Sequence, residues 1–150
     1  MGPGPGRCPI PGRARGAELS RLLLDTTFLI DADRGGDALE EALSDEDDVA
    51  IAAITVAELR VGILLSSRKH RSARLAFLDD VVESIPVLDY DRGVAEAHAD
   101  LLVHVRRQGT TRGAHDLVIA ATARAAERTV VSADEAAFVD LPGVQLKRHH

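Results

Sequence analysis

Apolar and polar positions along this 150-residue chain fall into two alternating patterns. Short, nearly unbroken apolar runs read as buried strands: "RLLLD" (21–25), "VAIAA" (49–53), "PVLD" (86–89) and "RTVVS" (128–132), with "VQLKR" (144–148) a candidate fifth. The stretches between them carry the helical period. "TVAELRVGILLSS" (55–67) places Val56, Leu59, Ile63 and Leu64 at helical spacing, and "RKHRSARLAFLDDVVESI" continues as a second helix with a basic start. Residues 91–107 set Val94, Ala97, Leu101 and Val105 on one face, and residues 116–127 form an Ala-rich helix. Residues 27–33 and 36–44 also read as helical, broken at Gly35-Gly36, and "SDEDD" (44–48) reads as a charged turn. Strands that do not alternate are apolar on both faces. Strands alternating with helices then imply a parallel sheet covered on both sides, a three-layer α/β/α sandwich of four to five strands.

Composition narrows this picture. Hydrophobic residues make up 45% of the chain but aromatics only 3%, with no Trp, so the core is aliphatic and Ala-rich. No apolar run approaches the roughly 18 residues of a membrane span. The single cysteine, Cys8, cannot form an internal disulfide, which fits a cytoplasmic location. It lies in "MGPGPGRCPIPGRARG", which holds five Gly and four Pro and no apolar signal segment. Residues 1–18 are therefore expected to be a disordered tail and residues 19–148 the folded domain; His149 and His150 carry no role. A net charge of −6 argues against a protein that coats nucleic acid by bulk charge. It leaves room for a nucleic-acid enzyme whose acids are concentrated at a metal site.

Four carboxylates stand at element junctions. Asp25 closes the first strand, Glu58 lies in the first turn after the second, Asp116 opens the Ala-rich helix and Asp134 follows the fourth strand. Each has a structural explanation when taken alone. Asp is a favoured helix cap, Thr55-x-x-Glu58 is a capping box, and acids suit the positive end of a helix. Taken together they raise a different possibility, because ligands of open parallel sheets bind beyond the carboxyl ends of the strands. Two carboxylates ~5 Å apart repel by roughly 3 kcal/mol at an effective dielectric of 20. No Lys or Arg adjoins any of the four in sequence. Such a cluster must protonate or bind a cation, and oxygen-only ligands select Mg²⁺ or Mn²⁺. Sites of this kind hydrolyse or transfer phosphoryl groups.

At these blocks the sequence resembles a known family. "LLLDTTFLI", "ITVAELRVGI", "HDLVIAATA" and "VVSADEAAF" are similar to the four blocks of PIN-domain ribonucleases, in particular the VapC toxins of bacterial type II toxin–antitoxin pairs. The resemblance covers about residues 21–147. It implies a PIN-like sandwich, Mg²⁺-dependent cleavage of RNA, a cognate VapB-type antitoxin as inhibitor, and a homodimer. Asp25, Glu58 and Asp116 match the family's three most regular acids. Asp134 matches a fourth position held by Asp or Asn. Thr26 and Ser132 match hydroxyl positions that support those acids. The resemblance also implies an antitoxin segment lying across the active-site groove, with Val56, Leu59, Ile63, Leu75 and Leu78 as candidate contacts. Two positions depart from the pattern: Thr27 replaces a frequent Ser, and Ala137 stands where a further Asp is common.

Among the basic residues, Arg106, Arg107 and Arg112 are the expected RNA contacts, because their loop leads directly to Asp116. The run Arg68, Lys69, His70, Arg71, Arg74 would suit phosphates but reads first as a solvated helix face. His115 adjoins Asp116 and is a possible substrate contact. Two other readings stay open: an Mg²⁺-dependent hydrolase of small phosphoesters, and a non-catalytic binding module whose acids only cap helices.

Overall fold

The computed structural model describes residues 20–35 and 46–148. The expected helix at 36–44, the start of the charged turn, the 1–18 tail and the terminal His pair lie outside them. In chain order the elements are β1 (Arg21–Leu24), α1 (Thr26–Gly35), β2 (Asp48–Ala52), α2 (Ala53–Leu65) and α3 (Arg68–Ser84), followed by β3 (Val87–Leu88), α4 (Arg92–Gln108), α5 (Ala114–Ala125), β4 (Thr129–Ser132), a 3₁₀ turn (Glu135–Ala137) and β5 (Gln145–Arg148). The strands form one sheet in the order β3-β2-β1-β4-β5, and every pairing is parallel.

The two-sided burial of the strands explains their unbroken apolar runs. Leu23, Ala50, Ala52 and Val130 face one layer, where they pack with Val94, Ala97, Leu101 and Val105 of α4 and with α5. The alternate positions Leu22, Leu24, Ile51 and Val131 face the other layer, with Phe28 and Leu29 of α1 and Val81 of α3. A parallel sheet needs apolar residues at consecutive positions for this reason. The result is the expected α/β/α sandwich, with five strands.

The ends of α4 follow local rules. The Asp91 carboxylate accepts the Val94 N–H at 2.9 Å as an N-cap, and Gly109 closes the helix at φ 69°, a left-handed conformation that costs glycine little. The α2 helix does not use its expected cap. It starts at Ala53 with Ala52 as N-cap and no side-chain cap bond, so Thr55 and Glu58 form no capping box. Nor does Asp116 cap α5, whose N-cap is Gly113. Among the described residues no helix is long and apolar enough to cross a membrane.

Strand order fixes where a ligand site can form. From β1 the chain turns into α1, whose Phe28 and Leu29 pack on one face of the sheet. From β4 it turns into the 3₁₀ turn, whose Ala137 and neighbouring Phe138 pack on the opposite face. Adjacent parallel strands with connections diverging to opposite faces leave a crevice at their carboxyl ends. The α2 helix lies across the same edge, with Ile54 against one core and Val56 and Leu59 against the other.

Candidate active site

The buried polar residues are the clearest sign of a site. In an aliphatic interior, Asp25, Thr26, Thr55, Thr122 and Ser132 are buried. Thr122 satisfies itself within its own helix, donating to the Val118 carbonyl at 2.7 Å. The other four gather at the β1–β4 crevice. Burying polar groups is unfavourable unless they bond to one another, and here they do.

Asp25 is pinned from both sides. Its backbone N–H continues the β1–β4 ladder to the Val131 carbonyl at 2.9 Å. Its Oδ2 accepts the Thr27 hydroxyl and the Ser132 hydroxyl, each at 2.7 Å. Ser132 is also an acceptor for the Asp134 N–H at 2.9 Å, which folds the chain after β4 back toward Asp25. The carboxyl is only 2% exposed. Burial pushes its pKa up and the Glu58 charge adds to this, against the lowering effect of Thr27, Ser132 and the Thr26 backbone.

Glu58 is held on the other side of the crevice. Its Oε1 accepts the Thr26 hydroxyl at 2.6 Å, and its Oε2 meets His115 Nδ1 at 3.1 Å. The Thr26 and Thr55 hydroxyl oxygens also lie 3.3 Å apart, so the hydroxyl expected to cap α2 instead braces the Thr26–Glu58 contact.

Asp116 carries the electrostatic signature of the site. Desolvation raises its pKa to about 6, with further upward pushes from Asp25, Asp134 and Glu58 and an opposing pull from His115. The four junction acids therefore share one electrostatic field. Among the described residues, however, no group of three or more His, Cys, Asp or Glu side chains stands ready-assembled to hold a metal ion. Glu58 is bonded to Thr26 and His115, and Asp25 Oδ2 to two hydroxyls.

The raised Asp116 pKa has a pH consequence. Between its unfolded value near 3.8 and its folded value of about 6, the folded protein holds more proton at this group than the unfolded chain does. Stability therefore falls as pH rises through that window, and the penalty persists above it. Metal-free wild type should gain melting temperature relative to Asp116→Asn as pH is lowered from about 7 to about 4. Parallel melting curves for the two proteins across this range would remove the electrostatic basis of the cluster.

Gly113 shapes the site without taking part in it. A Cβ at this position would lie 2.7 Å from Asp116 Oδ2. The flexible carboxylate can swing away at small energetic cost, but only by leaving its place beside the other acids. Gly113→Ala should therefore barely change the melting temperature while lowering activity by about 10²-fold, as small misplacements of reacting groups do. Equal activity in this variant would show that the Asp116 orientation does not matter.

The basic loop divides. Arg106 and Arg107 are exposed in the last turn of α4, where cations also suit the helix dipole. Arg112 is engaged elsewhere: its guanidinium donates to the Ala137 carbonyl at 3.0 Å and the Val139 carbonyl at 2.7 Å. It ties the loop before Asp116 to the segment after Asp134. These two bonds use two of the five guanidinium N–H donors.

A groove of about 390 Å³ continues from Glu58 between α1, α2 and α3. Leu59, Ile63 and Leu78, three of the expected antitoxin contacts, line it. Val56 instead packs against the core, and Leu75 is 38% exposed outside the groove.

The chain and its fold are similar to those of known proteins. The PIN domain model matches residues 22–143. Ribonuclease VapC5 of Mycobacterium tuberculosis is 38% identical over 116 residues, which span 75% of this chain and 82% of that protein. The crystal structure of VapBC-5 from Mycobacterium tuberculosis, a member of the VapBC family of toxin-antitoxin systems, gives a TM-score of 0.72 at 32% identity, covering 86% of this chain and 98% of that one. VapBC2 from Rickettsia felis, solved bound to a DNA fragment from the promoter, gives 0.78 and covers 85% of this chain and 98% of that one; at 23% identity it speaks for the fold alone.

Proposed function

We propose, for a chain that belongs to the PIN-domain family of VapC ribonucleases, that it is a metal-dependent endoribonuclease toxin held in check by a cognate VapB-type antitoxin. The observation that carries this reading is geometric: Thr27 and Ser132 hold the Asp25 carboxylate at the end of β1, and Thr26 ties Glu58 to the same crevice; the upward push of Asp25, Asp134 and Glu58 on the Asp116 pKa supports it. The donor set fits a hard divalent cation: Asp25, Glu58, Asp116 and Asp134 offer only carboxylate oxygen, the chemistry that selects Mg²⁺ or Mn²⁺. Asp116 and Asp25 would supply the principal ligands, with Glu58 and Asp134 completing the acidic wall. When bound, such an ion lowers the pKa of water and stabilises the leaving oxygen of a phosphodiester.

The chain's own groups set the stage for that chemistry. Ser132 and Thr27 hold the Asp25 carboxylate in one orientation through Oδ2. Thr26 fixes Glu58. Such supporting bonds typically matter 10–100-fold in metal affinity or activity. Below the Asp116 pKa of about 6 the fourth charge is neutralised by a proton, so metal affinity and cleavage should both rise through that pH.

An acidic crevice also suits an inhibitor. A guanidinium can bind a carboxylate pair bidentately, and solved relatives are toxin–antitoxin complexes. An antitoxin Arg placed among these acids would neutralise them and exclude the metal. A homodimer in the cytoplasm completes the reading.

The test uses purified protein, a labelled RNA, and a small phosphomonoester, each with and without chelator. Internal RNA cleavage that stops on chelation and resumes with Mg²⁺ or Mn²⁺ is expected. Turnover of the phosphomonoester without RNA cleavage would favour a small-molecule hydrolase. Inertness toward both, in protein that is folded, would leave only a binding role.

A further inference from the structure

Asp116 and Asp134 reach the crevice on separate segments, one in α5 and the other after β4. Like charges push their supports apart, so segments that carry them together must be tied by something else. Arg112 is such a tie. It lies in the loop before α5, next to Gly113, the N-cap of that helix. Its guanidinium fork donates to the Ala137 carbonyl at 3.0 Å and the Val139 carbonyl at 2.7 Å. Both acceptors are backbone carbonyls, so the bonds fix position without neutralising an acid. The anchor is firm. Phe138, between the two accepting residues, is buried, and so is Ala137. The Ala137 N–H bonds the Asp134 carbonyl at 3.3 Å, and the Phe138 and Val139 N–H groups bond the Glu135 carbonyl, each at 3.0 Å. Arg112 therefore grips the same turn that Asp134 begins. Its other end reaches Asp116 through Gly113. A Cβ on Gly113 would lie 2.7 Å from Asp116 Oδ2, so that carboxylate rests against the backbone beside Arg112. The Gly113 carbonyl also accepts the Leu117 N–H at 3.1 Å. Any shift of this loop moves Asp116 relative to Asp134.

We infer, building on the metal-dependent reading, that Arg112 is a positioning residue of the metal site, whose fork holds the Asp116 and Asp134 segments together. Two other roles for the same side chain predict different results. A cation that acted on the acids by charge alone would oppose a divalent ion, and its removal would strengthen metal binding. Arg112 is also absent from the charges that act on Asp116, whereas His115 is among them. A cation that served only to hold an RNA phosphate would leave metal binding unchanged when no RNA is present. A positioning residue does neither: its loss weakens metal binding, because the oxygens it set in place are no longer held there.

The experiment is a calorimetric titration of RNA-free, metal-free protein with Mn²⁺, well below the melting temperature. It compares wild type, Arg112→Ala, Arg112→Lys and Arg124→Ala. The last is a control for lost stability: Arg124 donates to Asp100 of α4 at 3.2 Å, a tie at the opposite end of α5 from Asp116. Arg112→Ala should raise the dissociation constant for Mn²⁺ at least about tenfold, the lower end of what bonds supporting a metal site contribute. Arg112→Lys keeps the charge but replaces the fork by a compact ammonium, and its affinity should fall between wild type and alanine. Arg124→Ala should bind Mn²⁺ as wild type does, whatever it loses in melting temperature. Wild-type or tighter affinity in Arg112→Ala overturns the inference, and so does an equal weakening in Arg124→Ala. If the alanine protein does not fold, Arg112→Lys decides in its place, and wild-type affinity there overturns the inference as well. The wild type separates the two levels. Binding by wild type that is unchanged in Arg112→Ala sinks only the role of Arg112, whereas a wild type that binds no Mn²⁺ sinks the metal-dependent reading and this role with it.

Discussion

Asp116→Asn should lower RNA cleavage at least about 10³-fold, a loss of roughly 4 kcal/mol of transition-state stabilisation. Asp25→Asn and Glu58→Gln should fall in the same range, because each removes a charged oxygen from the same acidic wall. Asp134→Asn should be milder, since the family resemblance implies that Asn is tolerated at that position. Stability should move the other way. Asp116 is pushed up by three other acids, so its neutral amide relieves repulsion and should leave the melting temperature unchanged or higher at neutral pH. Asp25→Asn keeps an amide oxygen that can accept the Thr27 and Ser132 hydroxyls now bound by Oδ2. The combination of lost rate and retained stability is what distinguishes ligands from helix caps. Caps would show the reverse: full activity with a penalty of about 0.5–2 kcal/mol in stability. The structure already weakens the cap reading, since neither Glu58 nor Asp116 caps its helix. Single-turnover rates and melting curves on the same four variants make the comparison.

Expression of the wild type alone should arrest growth, and coexpression with the cognate antitoxin should restore it. This follows from the proposed activity: an enzyme that cleaves the RNA of its own cell harms that cell unless an inhibitor blocks it. Asp25→Asn should abolish toxicity while still binding that partner, because one neutralised carboxyl leaves the remaining acids to receive an antitoxin Arg. Growth counts and copurification from the same strains separate the two effects. Toxicity undiminished in Asp25→Asn would break the connection between the acid cluster and the biological effect.

Much of this arrangement can be read from the sequence, and the reason is physical. Parallel strands buried on both faces must be continuously apolar, so Leu22–Leu24 and Val130–Val131 announce themselves, and the acids that end such runs fall at the carboxyl edge. The helix face of Val94, Ala97, Leu101 and Val105 is equally legible and is buried as expected. What failed was local chemistry with a nonlocal answer. Thr55 fits a capping box in sequence, yet its hydroxyl meets Thr26, a partner 29 positions away. Arg112 reads as a loop cation, and its bonds to carbonyls 25 and 27 positions on are likewise not legible in the sequence. The role of Gly113 depends on a Cβ that would meet a carboxylate three residues later, and no periodicity encodes that. The contact between His115 and Glu58 spans 57 positions; the His-Asp adjacency pointed to the site but not to that partner.

The central claim is that four acids jointly hold one kind of ion. A calorimetric titration of metal-free protein with Mn²⁺ and with Mg²⁺, paired with melting curves, tests it most directly. A saturable binding event is expected in the wild type. The folded state should gain about 2.7 kcal/mol at a hundred times the dissociation constant, with binding strengthening as pH rises through about 6, where Asp116 ionises. Both the heat and the thermal shift should vanish in Asp116→Asn. Binding and stabilisation that persist unchanged in Asp116→Asn, or a wild type that neither binds nor is stabilised at millimolar metal, would contradict it.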